Sequence, residues 1–596
     1  MSRYGTDRRR MAAIAAVCLL SVTLPVGVAT GKEKVKSAPP PSPSLDVNYS
    51  VSIPTIDAVQ SSIDADVISD ILSGNIAEHA NALADLDAAS ITVPEIAIDI
   101  TSVGEDGEHR ATITLNELVL GNIVDGKAAT LSVAGINVDS EEGTAEFGAV
   151  SAANFDIGGI LGLYGLVDHS GQTDLEVIYT DLVSEGGEVV SEDATCTIGG
   201  VRGAEFKARP LKTPLFEIVA IAQAMEEDPD TVDPALTGKF IRIYADFLTA
   251  FETSEVTFDG LSCNGIDDKG QPLTFAIGGM TMGPMTPGIY PSISMNGLTV
   301  DLEDNGLMTL ESLTIKPMDL SSTIATMQSA PELVDETWLE QNARGFIPAM
   351  EGFSMSGLEF DIPDMDDPGA RVRASIAGAE LTLGAYVNGI PTDLDLKVDN
   401  VAAELPADSD DETFNQLRAL GVTDMDASFR IAAAWDETAS TIRLKELSMS
   451  GVDLASVLLA GTITNASAEL FGLEPNAALA ASMGLAIKDL DLTVTDAGLT
   501  EIILAIAAKQ QGADPAAMRP IFAGLAQGGI ISLMGGAADA AKLGEAVNAF
   551  VSGQARTLFI GIDAKTEPGL GMMDFLAAQE DPTSLLSKVH VSAEAK

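Results

Sequence analysis

The chain has 596 residues and a formal net charge of −55 at pH 7, with 46% hydrophobic and 5% aromatic residues. The hydrophobic share is that of a folded protein, which excludes wholesale disorder. The negative charge repels nucleic acid and anionic membrane surfaces, so we expect no nucleic-acid partner.

Residues 1–29 have the pattern of a signal peptide. Arg8–Arg10 give a positive start, an apolar run follows, and small residues predict cleavage near Ala29. The alternative is an uncleaved inner-membrane anchor, because the apolar run is just long enough to cross a bilayer. The cleaved form predicts a periplasmic or secreted protein. Residues 30–49 are rich in proline and are predicted to form an extended linker.

In the remaining chain, segments whose apolar residues recur at every second position, as in a strand, alternate with segments whose apolar residues recur at helical spacing. The helical spacing of apolar residues after Ile56 changes to strict alternation at Ile96, Ile98 and Ile100, which predicts a helix followed by a hairpin. The same patterns predict four sections, which are residues 50–165 with an N-terminal helix and a first β-repeat, 166–345 with a second β-repeat section and helices, 346–480 with a third β-repeat section, and the helix-rich 481–596.

One short pattern recurs in these sections. Residues 312–328, SLTIKPMDLSSTIATMQ, read as an alternating strand, an aspartate, small residues and an apolar run, and residues 149–165 and 446–461 repeat this order. Self-similar segments indicate stacked units that bury their apolar faces against each other. The sequence therefore predicts an α+β fold, an extended antiparallel β-sheet built from repeated strand–hairpin–helix units, with a more helical C-terminal section.

Three aspartates occupy the equivalent position of this pattern: Asp156, Asp319 and Asp453. An aspartate that enters a helix can accept hydrogen bonds from the first free backbone N–H groups, at the positive end of the helix dipole. We interpret all three as structural helix caps rather than as ligands or catalytic groups. A more divergent copy has Asp496 before its helix.

The cysteines suggest a covalent cross-link. Cys18 lies in the signal segment, which leaves Cys196 and Cys263 in the mature chain. An even pair in an oxidising compartment predicts one disulfide, and two buried free thiols are the alternative.

Catalytic motifs are not visible in the sequence. The four histidines are not at metal-ligand spacing, and no phosphate-binding glycine loop is present. The segment DLEDNG at 301–306 imitates the start of a calcium loop, but Asn305-Gly306 is better explained as a hairpin turn. We therefore predict no catalytic, cofactor or metal site and a protein that is not an enzyme. A hydrolase with a site assembled from distant residues is a further hypothesis.

A long antiparallel sheet with one apolar face must cover that face with helices, another sheet or an apolar guest. The N-terminal apolar segment and the amphipathic strands of residues 149–461 resemble the AsmA-like bacterial envelope proteins. That resemblance implies a part in outer-membrane lipid homeostasis. We expect an exported, non-enzymatic envelope protein that binds a lipid or an envelope protein through a sheet surface or groove. The alternative is an extracellular structural or adhesion protein with an acidic surface that contacts calcium.

Overall fold

The computed structural model describes residues 46–596, apart from 105–106, 169–170, 216, 219–220, 222–233, 268–269, 365–370, 406–411, 536–538 and 581–582. The predicted signal peptide and most of the predicted linker lie outside the described residues. The chain divides into two compact units, residues 1–47 with 102–108 and residues 48–101 with 109–596. Among the residues that the structure describes, the helices and nearly all of the sheet belong to the second unit.

Strands make up most of the regular structure. They are β1 Asp46–Ser52, β2 Asp57–Val59, β3 Ala88–Gly104, β4 Gly107–Val124, β5 Lys127–Ser140, β6 Gly143–Phe147, β7 Val150–Asp156, β8 Glu176–Ser184, β9 Gly187–Ser191, β10 Ala194–Ile198, β11 Val201–Ala208, β12 Phe251–Thr253, β13 Val256–Phe258, β14 Leu261–Ile266, β15 Pro272–Ile277, β16 Gly279–Met282, β17 Ile289–Tyr290, β18 Ile293–Asp301, β19 Leu307–Ile315, β20 Met318–Asp319, β21 Ala349–Met350, β22 Gly352–Pro363, β23 Arg371–Val387, β24 Ile390–Glu404, β25 Asp424–Asp436, β26 Thr441–Gly451, β27 Ala455–Thr464, β28 Ala486–Asp496, β29 Thr557–Ala564, β30 Leu570–Gly571 and β31 Val589–Ala595.

Helices lie at the N-terminal end, between groups of strands and in the C-terminal section. They are α1 Ala65–Asp70, α2 Ile76–Ala84, α3 Ile157–Tyr164, α4 Pro234–Phe247, α5 Ser321–Gln328, α6 Glu336–Asn342, α7 Glu412–Ala419, α8 Pro475–Met483, α9 Leu499–Gln511, α10 Pro515–Leu533, α11 Ala540–Val551, α12 Met572–Glu580 and α13 Thr583–Leu586.

Twenty-eight of the strands form one sheet, and β17, β20 and β21 form a small second one. The large sheet follows chain order. Each strand from β18 through β19, β22, β23, β24, β25, β26, β27 and β28 to β29 pairs antiparallel with the next. In the first half the long strands are interrupted, so that β6 and β7, β8 and β9, or β10 and β11 together pair as one strand. The prediction of a β-rich α+β fold with a large antiparallel sheet is confirmed.

The interruptions lie on one line across the sheet. The backbone N–H of Gly148 donates to the carbonyl of Gly186 at 2.8 Å, and that of Gly278 donates to the carbonyl of Gly297 at 3.1 Å. Gly297 and Gly357 have φ values of 65° and 61°, which a strand residue with a side chain adopts only at a cost. Because bulges and glycines bend strands, this line is a crease in the sheet.

The crease also shifts the alternation of side chains. Ser356 Oγ lies 2.8 Å from Ser312 Oγ and 3.1 Å from Glu311 Oε2. Consecutive residues of a regular strand point to opposite faces. Because Glu311 and Ser312 both reach Ser356, they share a face, and the alternation changes phase there.

We infer from the exposure of residues beside the crease that the apolar face is the inner side of this bend. Leu310 and Val398 flank the crease on that face and are each only 8% exposed. Asn296 and Gly297, at the same level of the sheet, are exposed. The crease therefore forms a trough with apolar walls.

Helices cover both ends of this inner face. At the N-terminal end Ile68 of α1 and Ala80 of α2 pack in one cluster with Ile91, Val93 and Ile96 of β3. At the C-terminal end Leu543 of α11 packs with Ile560 of β29 and Val591 of β31. The intervening sheet is not part of either cluster.

The repeated unit fails at its third copy. Phe155 packs in the N-terminal cluster, and Met318 pairs with Tyr290 and Met350 in the small sheet. Val452, by contrast, is 57% exposed in a hairpin turn. The three segments therefore share no common topology, and the helix predicted after Asp453 is strand β27.

Candidate functional site

The candidate site is the trough along the crease. Its first wall, the turn-side wall, consists of the strand halves that end in the turns at 141–142 and 192–193. In register, two rows of side chains face inward on this wall. The row next to the crease contains Ile136, Phe147, Ile198, Leu261, Ile277, Leu298, Leu310, Leu358, Ile376 and Val401, and the outer row contains Val138, Ala145, Val189, Cys196, Cys263, Phe275, Val300, Met308, Phe360, Ala374, Ala403 and Met425.

The second wall, the helix-side wall, consists of the other strand halves, and one of its strands, β7, continues directly into helix α3. It also has two inward rows. The row next to the crease contains Val133, Val150, Ser184, Val201, Phe258, Met280, Met295, Leu313, Met355, Ala379, Val398, Phe429, Met449, Val457, Val494, Leu558 and Ala595. The outer row contains Leu182, Val256, Met282, Ile293, Ile315, Phe353, Leu381, Leu396, Ile431, Leu447, Leu459, Leu492, Ile560 and Ala593.

Large side chains in these rows are open to solvent. Met449 is 64% exposed, Leu447 and Val457 are each 41% exposed, and Phe429 is 39% exposed. Strands lie about 4.8 Å apart, so the longest row extends for about 75 Å. Scattered exposed apolar residues are normal on a protein surface, but the exposed members of the two helix-side rows are concentrated in β25, β26 and β27, and a contiguous apolar patch indicates a binding surface.

The outer face of the same strands is polar and carries ion pairs. Arg430 binds Asp395 at 2.7 Å and Glu446 at 3.1 Å, and Lys445 binds Asp393 at 2.9 Å. The hydrogen bond from Arg430 lowers the pKa of Asp395 below its ordinary value. Charges on one face and hydrocarbon on the other explain the strict alternation in the sequence.

Cys196 and Cys263 form a disulfide across β10 and β14, with an S–S distance of 2.17 Å. Both residues belong to the outer row of the turn-side wall. The disulfide therefore joins neighbouring strands on the inner surface of the trough and leaves no S–H donor there.

The three predicted caps have different environments. Asp156 accepts a hydrogen bond from the N–H of Gly159 at 2.8 Å at the start of α3, and Lys127 lies 3.1 Å away. Asp319 accepts from the N–H of Ser321 at 2.8 Å, and hydrogen bonds from Ser321 lower the pKa of Asp319. These are local structural contacts at helix starts.

Asp453 caps no helix, so its predicted role is wrong. It lies in the turn between β26 and β27 with a φ of 56°. The apolar run after it pairs with β26 on one side and β28 on the other, which holds it as a strand. Asp496 instead forms a capping contact. Its Oδ1 accepts a hydrogen bond from the backbone N–H of Thr500 at 3.0 Å, at the start of α9.

A polar cavity of about 200 Å³ lies beside α3. Asp156, Lys127 and Arg209 line it, but Asp156 already binds Lys127, and Arg209 binds Asp246 at 2.8 Å. These internal contacts satisfy the charges and indicate a structural role.

Within the described ranges, no three His, Cys, Asp or Glu side chains are placed to share a metal ion. Among the helices of the described segments, none combines the length and the apolar character needed to cross a bilayer.

The sequence predicted many of the strands and an apolar sheet surface or groove, but it gave no prediction of the crease that divides the sheet. Single glycines such as Gly297 and Gly357 inside strand-period sequence are a known signal for bulges. Their alignment on one line depends on the pairing register, which the sequence alone does not give.

Fold and site together define a two-faced β-sheet protein with an open apolar trough. Residues 448–596 match a family model described as an uncharacterized protein. A stretch of 91 residues is 31% identical to the glycine cleavage system H protein of Psychrobacter sp. (strain PRwf-1), covering 15% of this chain and 70% of that protein. This similarity covers one segment and leaves the rest of the chain outside it. No solved structure matches the chain.

Proposed function

We propose that this chain is an exported, non-enzymatic envelope protein that holds the hydrocarbon chains of lipids in the trough. The observation that carries the proposal is the solvent exposure of large inward-facing side chains, Met449 and Phe429 among them, between the two helix-covered ends. Covering such a surface with a lipid stabilises the complex by about 0.8 kcal/mol for each buried CH₂ group.

The chemistry of the rows favours hydrocarbon over a protein partner. Ser184 is the only residue of the four rows with a side-chain hydroxyl, amide or charge. A protein surface would bring backbone and side-chain polar groups that need hydrogen-bond partners, and each unpaired group costs free energy when buried. Acyl chains need none.

Export and envelope location rest on the signal pattern of residues 1–29. The resemblance to AsmA-like proteins agrees with this proposal, because it also implies lipid homeostasis at the outer membrane. The methionines of the rows, such as Met280, Met295 and Met355, are flexible and fill irregular gaps, which suits ligands of variable shape.

Two measurements test the proposal on the full chain. Lipid extraction of protein purified from membranes, followed by mass spectrometry, is expected to yield lipid in stoichiometric amounts. A photoreactive residue at Met449, on the inner face, is expected to cross-link to that lipid. The same residue at Ser450, which is exposed and belongs to the outer face of the same strand, is the matched control.

Equal cross-linking at both positions would contradict the trough as the binding surface. Lipid-free protein that also takes up no added lipid would contradict the function.

A further inference from the structure

Helices α8 and α12 meet at one end of the sheet. The chain runs from α8 into β28, which begins at Ala486, and it runs from β30, which ends at Gly571, into α12. Because Ala486 pairs with Gly571 in these antiparallel strands, the end of α8 and the start of α12 are neighbours. Thr464, the last residue of β27, pairs with Ala486, so β27 ends at the same place.

Helix α12 has its large apolar side chains on the outside. Met573 is 75% exposed, and Phe575 and Leu576 are also exposed. The half-buried positions of this helix belong instead to Asp574 and Ala578. A surface helix normally buries its apolar side and exposes its polar side, so this arrangement is inverted.

Helix α8 is inverted in the same way. Leu479 is 61% exposed and Met483 is exposed, whereas the small residues Ala478 and Ala481 are half-buried. Met483 and the exposed Met572 stand at the adjoining ends of the two helices, which joins their outward sides into one apolar surface. We call this surface the docking patch, and it consists of Leu479, Met483, Met572, Met573, Phe575 and Leu576.

Two carboxylates beside the docking patch are paired with lysines. Lys588 binds Asp574, and Lys488 binds Glu567 at 3.1 Å in the segment before β30. Helix α8 contains no charged residue, and Glu474 lies just before its far end. Although the chain has a net charge of −55, the docking patch is therefore uncharged and its nearest carboxylates are neutralised. Such a surface does not repel the phosphate groups of lipids.

The composition of the two helices favours a bilayer over a protein partner. Neither helix contains Tyr, Trp or Arg, the residues that are enriched at the centre of protein interfaces. Apolar side chains on one side of a helix that lies flat on a membrane enter the boundary between headgroups and acyl chains to a depth of about 5–10 Å. Methionine, leucine and phenylalanine can enter this layer without leaving a polar group unpaired.

We infer that the docking patch binds the surface of a phospholipid bilayer of no net charge, with Met573, Leu576 and Leu479 inserted among the acyl chains. The inference rests on the two inverted helices and not on the proposed lipid function of the trough.

The docking patch adjoins the exposed part of the trough. Phe471, four residues before α8, packs against Trp435 of β25 with ring centroids 4.6 Å apart. Trp435 follows the exposed inward residues Phe429 and Ile431 along the same strand. A bilayer bound at this end would therefore meet the strands whose inward side chains are open to solvent.

The test places a tryptophan at Met573 of the full chain. The protein is mixed with vesicles of dioleoylphosphatidylcholine, with and without phosphatidylcholine that is brominated on one acyl chain, because bromine quenches tryptophan at short range. After subtraction of the wild-type signal, we expect the fluorescence of Met573→Trp to fall by more than half in the brominated vesicles.

Val452→Trp is the matched control. Val452 is 57% exposed and lies in the turn before β27, at the end of that strand opposite to α8. The ten residues of β27 span about 33 Å, so we expect this tryptophan to keep its fluorescence.

Adding Leu479→Gln, Met483→Gln and Leu576→Gln to Met573→Trp is expected to raise the vesicle concentration needed for half of the quenching by about tenfold or more. The urea midpoint should not change, because all three side chains are exposed. Quenching at position 573 that is no stronger than at position 452 would overturn the inference. A dimer that sediments without vesicles and is split by the three glutamines would also overturn it, since a second copy would then cover the patch. Neither result decides whether lipid occupies the trough, which the cross-link at Met449 reports.

Discussion

Replacing a glycine of the crease tests the bend directly. In Gly357→Ala the new Cβ would lie 2.7 Å from the Cβ of Glu311, and the residue would keep a φ of 61°. A left-handed conformation costs a residue with a side chain about 1–2 kcal/mol, and relief of the contact requires β19 to move. We expect the free energy of unfolding to fall by about 2 kcal/mol.

Gly384→Ala is the matched control. Gly384 lies in the adjacent strand β23, and an added Cβ there would have nothing within 4 Å. We expect this variant to keep or slightly raise the stability. Urea unfolding followed by the fluorescence of the two tryptophans measures both variants. If Gly357→Ala were as stable as Gly384→Ala, the backbone at the crease would not need glycine, and the argument for a built-in bend would fail.

Three further changes probe other contacts. Replacing Cys196 and Cys263 by serine opens a loop with a sequence separation of 67 residues, so we expect a loss of about 4 kcal/mol in urea unfolding, and an unchanged midpoint would contradict this. Asp156→Ala removes the cap of α3 and should cost about 1 kcal/mol, whereas Asp156→Asn keeps the acceptor and should cost less. Because Arg430 lowers the pKa of Asp395 in the folded state, the pair contributes stability above the unfolded pKa of about 3.9 and loses it as the pH falls through the folded pKa. The stability difference between the wild type and Asp395→Asn should therefore shrink below about pH 4, and a constant difference down to pH 3 would refute the ion pair.

Strict alternation of residue types made much of the sheet predictable. Residues 371–387 alternate in the sequence, and they form β23 at Arg371–Val387. This pattern is reliable because one face of the sheet is apolar and the other is charged, so every second residue is constrained.

Short apolar runs were the source of the main error. The run Val457–Ala460 was predicted as a helix after Asp453, but it is part of β27. A run of four apolar residues fits either one turn of a helix or a strand whose two faces are both apolar. The strands that pair with the run on both edges determine that it is a strand. At Leu499–Gln511 the run is long enough for the helical period to be visible, and the segment is α9.

The sequence indicated an apolar sheet face but did not determine whether helices, another sheet or an apolar guest covers it. An open trough was therefore only one of several possibilities. Whether α4 and α5 lie across that face or beyond the strand ends depends on their docking. Ala245 of α4 packs with Ile324 and Met327 of α5 in a cluster of their own. None of these contacts involves the inward rows, and no periodicity in the sequence encodes that choice.

The order of the strands bears on how the protein is made. Because most strands pair with the strand that precedes them in the chain, each new hairpin emerging from the ribosome finds its template already in place. The sheet can therefore grow strand by strand from one edge during synthesis. For the same reason, inserting or deleting one hairpin in the sequence would lengthen or shorten the trough and leave the other strand pairings unchanged.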